Sequence, residues 1–140
     1  MTMALLVVDF ATGEAYYSNA GHTPLLLVSS GEITVAQKPS SPLGLSLSFV
    51  PNVIKIMFKP GDGVFLYTDG LIDNEGPNGE KLKIRSLRDH LAANASPIVS
   101  DSLLRETCAN LWKSKPQKDD SSYLHLRWLP RPQSAANQAG

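Results

Sequence analysis

Six short apolar runs, each closed by a turn sequence, fill the first 70 residues, and this rhythm constrains the fold more than any other feature of the chain. Residues 4–10 are almost continuously apolar and stop at Ala11-Thr12-Gly13-Glu14, after which residues 15–18 resume a strand pattern. That is a hairpin signal. Residues 25–28, the turn Ser29-Ser30-Gly31-Glu32 and residues 33–36 repeat it, and a loop rich in Pro and Ser then runs to Leu43-Gly44-Leu45. Residues 53–58 alternate, with Ile54, Ile56 and Phe58 on one face and Lys55 and Met57 on the other, before Lys59-Pro60-Gly61-Asp62-Gly63 turns into residues 64–67. Strands this short, joined by turns this tight, predict an antiparallel sheet or sandwich.

The pattern changes after Asp73-Asn74-Glu75-Gly76-Pro77-Asn78-Gly79, a loop too rich in breakers to hold regular structure. Ile84, Leu87, Leu91 and Ala92 recur at helical spacing, and a second helix follows with Ser96 at its N-cap and Pro97 at its first position. Val99, Leu103, Thr107, Cys108, Leu111 and Trp112 form its apolar stripe, and both helices are expected to cover one sheet face. Lys115-Pro116 ends it, and Asp119-Asp120 introduce a last strand with Leu124, Leu126 and Trp128 on one side and Tyr123, His125 and Arg127 on the other. The whole reads as one α+β domain over residues 1–129 with a disordered tail over 130–140.

Charge excludes some partners. The chain has 13 basic and 13 acidic residues, so nothing points to nucleic acid or an anionic membrane. The balance is uneven along the chain: residues 1–80 carry 8 acidic and 3 basic residues, whereas 81–140 carry 5 and 10. An acidic, cation-binding sheet edge beside basic helices fits this division, and so do solvated helix faces alone. A single cysteine, Cys108, rules out an intrachain disulfide and favours a reducing, cytoplasmic compartment. No apolar stretch approaches the ~20 residues that span a bilayer, and the first residues lack the pattern of a signal peptide. Cys108 itself reads as a small buried hydrophobe rather than a nucleophile.

For chemistry, the notable run is Val64-Phe65-Leu66-Tyr67-Thr68-Asp69-Gly70. It reads as a core strand that stops at a turn, with Gly70 free to take positive φ and Asp69 at the sheet's rim. A carboxylate there is a good ligand for a hard cation, or simply a turn cap, and spacing alone favours the cap. Asp119-Asp120 presents the same choice at the head of another strand. The chain has no phosphate-binding glycine loop, no paired-cysteine zinc spacing and no Gly-x-Ser-x-Gly elbow, and the acidic segment 69–80 does not match a calcium loop. His22, between a strand and Thr23-Pro24, reads as a turn histidine bonded to backbone ahead of a ligand or base; His90 and His125 carry less signal.

Taken in order, Asn19-Ala20-Gly21-His22-Thr23-Pro24-Leu25-Leu26-Leu27, Pro42-Leu43-Gly44-Leu45, residues 60–71 with Tyr67-Thr68-Asp69-Gly70, and Asp119-Asp120-Ser121-Ser122 resemble one family. Over residues 3 to 128 the chain resembles the C-terminal two-thirds of a metal-dependent protein serine/threonine phosphatase domain of the PPM superfamily, SpoIIE-type branch. The resemblance implies an antiparallel β-sandwich flanked by helices and a two-metal Mn²⁺ or Mg²⁺ centre at the sheet ends. In such a centre the ions lower the pKa of a bridging water and hold the phosphoryl oxygens, so that water attacks phosphorus in line with no covalent enzyme intermediate. By motif, Asp69 and Asp119 resemble metal ligands, Asp120 stands where the family has Asp or Asn, and Gly70 and His22 fall at the cleft; no other catalytic group is implied. The implied substrate is a phosphorylated protein, often an anti-sigma-factor antagonist, in bacterial signalling.

One element of the family pattern is missing. Its early Asp-Gly segment, whose carboxylate bridges both metals, would lie before the first hairpin, where only Met1 and Thr2 stand, and Asp9 occupies a different place. The chain is therefore expected to be a truncated, weakly active domain with its N-terminal part missing. An alternative is a noncatalytic binding or assembly module whose uncovered sheet edges pair with another copy.

Overall fold

The apolar runs become strands because their alternate side chains find two different layers to fill. The computed structural model describes residues 1–36, 38–93, 97–112 and 116–129. Its strands are β1 (Met3–Val8), β2 (Glu14–Ala20), β3 (Leu25–Ser29), β4 (Glu32–Ala36), β5 (Pro39–Ser40), β6 (Val53–Met57), β7 (Gly63–Tyr67) and β8 (Tyr123–Arg127). Helices α1 (Gly70–Asp73), α2 (Ile84–Ala93) and α3 (Pro97–Trp112) lie between β7 and β8.

In the first sheet β2 is central, antiparallel to β1 on one side and to β6 on the other, with β5 running parallel to the end of β2 at Asn19 and Ala20. The second sheet runs β4-β3-β7-β8, antiparallel throughout. Both expected hairpins are present. Ser30 and Gly31, at φ 50 and 81, make the two-residue turn between β3 and β4. Between β1 and β2 the Asp9 carboxylate accepts from Ala11 N and the Thr12 hydroxyl, both at 2.8 Å. Those bonds hold the Asp9 carboxyl below its ordinary pKa, the Ala11 amide first, and commit Asp9 to the turn.

The two sheets face each other across Ala15, Tyr17, Ile56 and Phe58 on one side and Leu25, Ala36 and Val64 on the other. This is the sandwich. The opposite face of the second sheet, Leu26, Ile33, Phe65 and Tyr67, is covered by Leu87 and Leu91 of α2 and Leu104 and Cys108 of α3. Strand β7 is thus apolar on both faces, which is why its run is continuous rather than alternating. An Arg88 guanidinium bond to Ile33 O, at 2.9 Å, ties α2 to β4, and Tyr123 donates its hydroxyl to Asp101, tying β8 to α3.

The first sheet has no such cover among the described residues. Met3, Leu5 and Val7 of β1, Tyr16 of β2 and Val53 and Met57 of β6 stand on its outer face, 39–55 % exposed. No described helix is long and apolar enough to cross a membrane.

Several expectations need correction. The short parallel strand β5 falls within the loop read as irregular, because it is made by pairing and not by any apolar pattern of its own. The segment after Asp69 opens with a helical turn, α1, and the breaker-rich loop is drawn together by a Glu75–Lys81 bridge. On α3 the stripe facing the core runs through buried Leu104 and Cys108 and half-buried Trp112, while Leu103 is 39 % exposed. The expected cap Ser96 and the tail 130–140 lie outside the described residues, as do the side chains of Val99 and Leu111.

Candidate functional site

Antiparallel pairing of β7 with β8, in register from Gly63↔Arg127 to Tyr67↔Tyr123, brings the residues after β7 against those before β8. Thr68 N donates to Ser122 O at 2.9 Å, Ser122 N returns a bond to the Thr68 hydroxyl at 2.9 Å, and that hydroxyl donates to Asp120 O at 3.1 Å, 52 residues away. The Asp69 turn and the Asp119-Asp120 turn are thereby one structure.

Asp69 caps α1, its carboxylate accepting from Gly70 N at 3.0 Å. Both readings of this residue are compatible, since a capping carboxylate keeps an oxygen for another partner. Gly70 is not in the positive-φ turn that its sequence predicts. Its missing side chain serves another purpose: a β-carbon there would sit 2.4 Å from Asp120 O and 3.2 Å from Asp119 O. Only glycine lets the two turns touch.

Asn74, 1 % exposed, completes the junction. Its amide nitrogen donates to Asp119 O at 2.7 Å and Gly70 O at 2.8 Å, and its oxygen accepts from Lys118 N at 2.8 Å and Asp119 N at 3.2 Å. A second buried asparagine, Asn19, plays the same part beside His22: its oxygen accepts from His22 N at 2.8 Å and its nitrogen donates to His22 O and Thr23 O. Gly21, at φ 67, lies so close to Pro42 that a β-carbon would come within 2.5 Å of it. His22 lies in this turn, its Nδ1 2.9 Å from the Thr23 hydroxyl and 3.3 Å from the Thr23 carbonyl oxygen. His22 also shares a cavity of about 390 Å³ with Thr2, Gly21, Thr23, Thr68 and Asp69.

The Asp69, Asp119 and Asp120 side chains are exposed, and none is paired with Lys or Arg among the described residues. Asp119 Oδ1 accepts from Asp120 N at 2.8 Å. Carboxylates without cationic partners on adjoining rigid turns have the donor chemistry of a hard divalent cation. Among the described residues no three His, Cys, Asp or Glu side chains gather as a metal cluster, so these carboxylates do not by themselves make a complete metal shell. Asn19 and Asn74 are the buried residues at these junctions to which the sequence reading gave no role of their own. Asparagine in a turn is common, and burial is what distinguishes these two.

The family model described as Stage II sporulation protein E (SpoIIE) matches residues 1–129. The chain belongs to the SpoIIE family. It is 30% identical to Protein IcfG of Synechocystis sp. over 96 residues, 68% of this chain and 15% of that protein. The RsbU and RsbW domains of Rv1364c from Mycobacterium tuberculosis superpose with a TM-score of 0.71 at 33% identity, covering 94% of this chain and 37% of that one. The SiaA PP2C domain of Pseudomonas aeruginosa gives a TM-score of 0.76 at 23% identity, over 89% and 50% of the two chains. The phosphatase domain of SpoIIE from Bacillus subtilis, presoaked with Mn, gives 0.70 at 18%, over 94% and 58%. The fold is that of PPM-type phosphatase domains, and this SpoIIE-family chain spans about half the length of the PP2C domains it matches.

Proposed function

We propose that this chain contributes part of the cleft of a Mn²⁺- or Mg²⁺-dependent protein serine/threonine phosphatase acting in bacterial, cytoplasmic signalling. The observation that carries the reading is the clasp between the Asp69 turn and the Asp119-Asp120 turn, beside the cavity that holds His22. Asp69 and Asp119 would hold the cation, with Asp120 adjacent, and the ligands still needed would come from outside the described residues. A bound divalent cation supplies an acidified water and charge neutralisation at phosphorus. The chain's own contribution is positional: Gly70 lets the turns close, Asn74 and Thr68 lock them, and Asn19 sets the His22 turn at the cavity's other wall. The family membership and the Mn-presoaked SpoIIE structure support the metal assignment. The substrate would be a phosphoserine or phosphothreonine protein; an anti-sigma-factor antagonist is the case the resemblance implies.

The test is phosphate release from a phosphoserine peptide with Mn²⁺, comparing this chain with Asp69→Ala. Release that Asp69→Ala abolishes supports the reading, and equal release by both sinks the metal role. One observation favours a second reading, an assembly module: the outer face of the first sheet presents Met3, Leu5, Val7, Tyr16, Val53 and Met57 to solvent. Under that reading the chain self-associates through this face, and Leu5→Lys with Val7→Lys gives a monomer by light scattering. A wild-type chain that is monomeric at high concentration excludes it.

A further inference from the structure

Asn74 makes more hydrogen bonds than its place in a breaker-rich loop requires. As the C-cap of α1 it has φ −62 and ψ 139, and its amide makes five contacts. The two N–H groups of the nitrogen are shared among Gly70 O, Asp119 O and Ser121 Oγ at 2.8, 2.7 and 3.0 Å, while the oxygen accepts from Lys118 N and Asp119 N at 2.8 and 3.2 Å. Four of the five reach segment 118–121, and two of them take both the N–H and the C=O of Asp119. A buried amide is costly unless satisfied, and an apolar side chain would fill the same space without that demand. What the amide adds is a grip on both sides of one residue's backbone.

The consequence falls on Asp119. Its own N–H and C=O are both held by Asn74, and Gly70 packs against the same turn, while its carboxylate stays exposed. A one-turn helix such as α1 has no cooperative stability of its own, so the pairing of Asn74 with segment 118–121 also holds α1, and with it the capping residue Asp69, in place. One side chain thus governs two carboxylates on different turns.

The geometry points to Asn74 as the positioning residue that aims the Asp119 carboxylate at a divalent cation shared with Asp69. This rests on the metal-dependent phosphatase reading. The side chain touches neither cation nor substrate; it acts through the backbone of Asp119, as residues behind metal ligands do.

The experiment titrates the full chain with Mn²⁺ and reads water-proton relaxation, which detects binding into the millimolar range and needs no turnover. Four variants are compared with wild type well below their melting temperatures: Asn74→Ala, Asn74→Ser, Asp69→Ala and the core variant Ile56→Ala. Wild type is expected to bind Mn²⁺, the Asn74 variants to bind about 10–100-fold more weakly, and Ile56→Ala to keep wild-type affinity while melting earlier. If Asn74→Ala does not fold, Asn74→Ser and Ser121→Ala, which removes one acceptor from outside, carry the comparison with a smaller loss. Wild-type affinity in the Asn74 variants while Asp69→Ala loses binding overturns the role of Asn74 and leaves the metal reading intact. Weakening in Ile56→Ala equal to that in Asn74→Ala makes the effect one of stability and overturns it too. No Mn²⁺ uptake by wild type overturns the metal reading, and this inference with it.

Discussion

A β-carbon on Gly70 would lie 2.4 Å from the carbonyl oxygen of Asp120. The obstacle is backbone, held by the Thr68 hydroxyl and by the β7–β8 ladder, so it cannot swing aside as a flexible side chain would. Gly70→Ala is therefore expected to separate the two turns. It should cost about 1–3 kcal/mol in urea unfolding and weaken Mn²⁺ binding at the same time. A stable Gly70→Ala variant with full Mn²⁺ affinity would show that the close approach has no bearing on the carboxylates.

His125 gives the chain a pH dependence of known sign. Burial against Phe65, at 5.8 Å between rings, lowers its pKa from the ordinary 6.5; Arg127 lowers it further and Asp101 opposes the shift. The unfolded chain takes up a proton at this residue as pH falls through about 6.5, and the native state does so only at lower pH. Stability is expected to drop as the solution is acidified from pH 7 toward 5. Thermal melts of His125→Gln should lack that slope, and an unchanged slope would place its origin elsewhere.

Cys108 is buried, and burial pushes its thiol up to about 11. At pH 8 a thiol-specific disulfide reagent should label the native protein on the order of 100-fold more slowly than the denatured one. Rapid native labelling would contradict the packing of α3 on the second sheet.

The stripe of α3 can be read by truncation. Leu104 is 1 % exposed and Leu103 is 39 % exposed. Leu104→Ala should cost about 2–5 kcal/mol, and Leu103→Ala well under about 1 kcal/mol. Equal losses would mean that the helix is rotated from the orientation described.

Much of this architecture is legible in the sequence, and for a definite reason. Turns such as Ser29-Ser30-Gly31-Glu32 and Ala11-Thr12-Gly13-Glu14 contain the residues that positive φ and side-chain capping demand, so local chemistry declares the hairpins. Alternation in 53–58 and the unbroken run 64–67 distinguish a strand with one wet face from one buried on both, and α2 declares itself by Ile84, Leu87 and Leu91. The stripe read for α3 holds at Cys108 and Trp112 and errs at Leu103, because Leu103 and Leu104 are adjacent and only the direction in which the helix meets the sheet chooses between them.

The candidate site divides in the same way. Asp69 and the Asp119-Asp120 pair stand out in the sequence as carboxylates at strand ends, and with the neighbouring motifs they carry the resemblance to the SpoIIE family. Their union was decided by tertiary structure alone. It depends on contacts such as Thr68 with Asp120, 52 residues apart, and Asn74 with Asp119, 45 apart, which leave no periodic trace in either segment. Sequence determines which residues can make strands, turns and ligands, because those preferences are local. Which turn meets which, and what Gly70 and Asn74 do where they meet, follows only when the β7–β8 ladder brings two backbones within hydrogen-bonding distance.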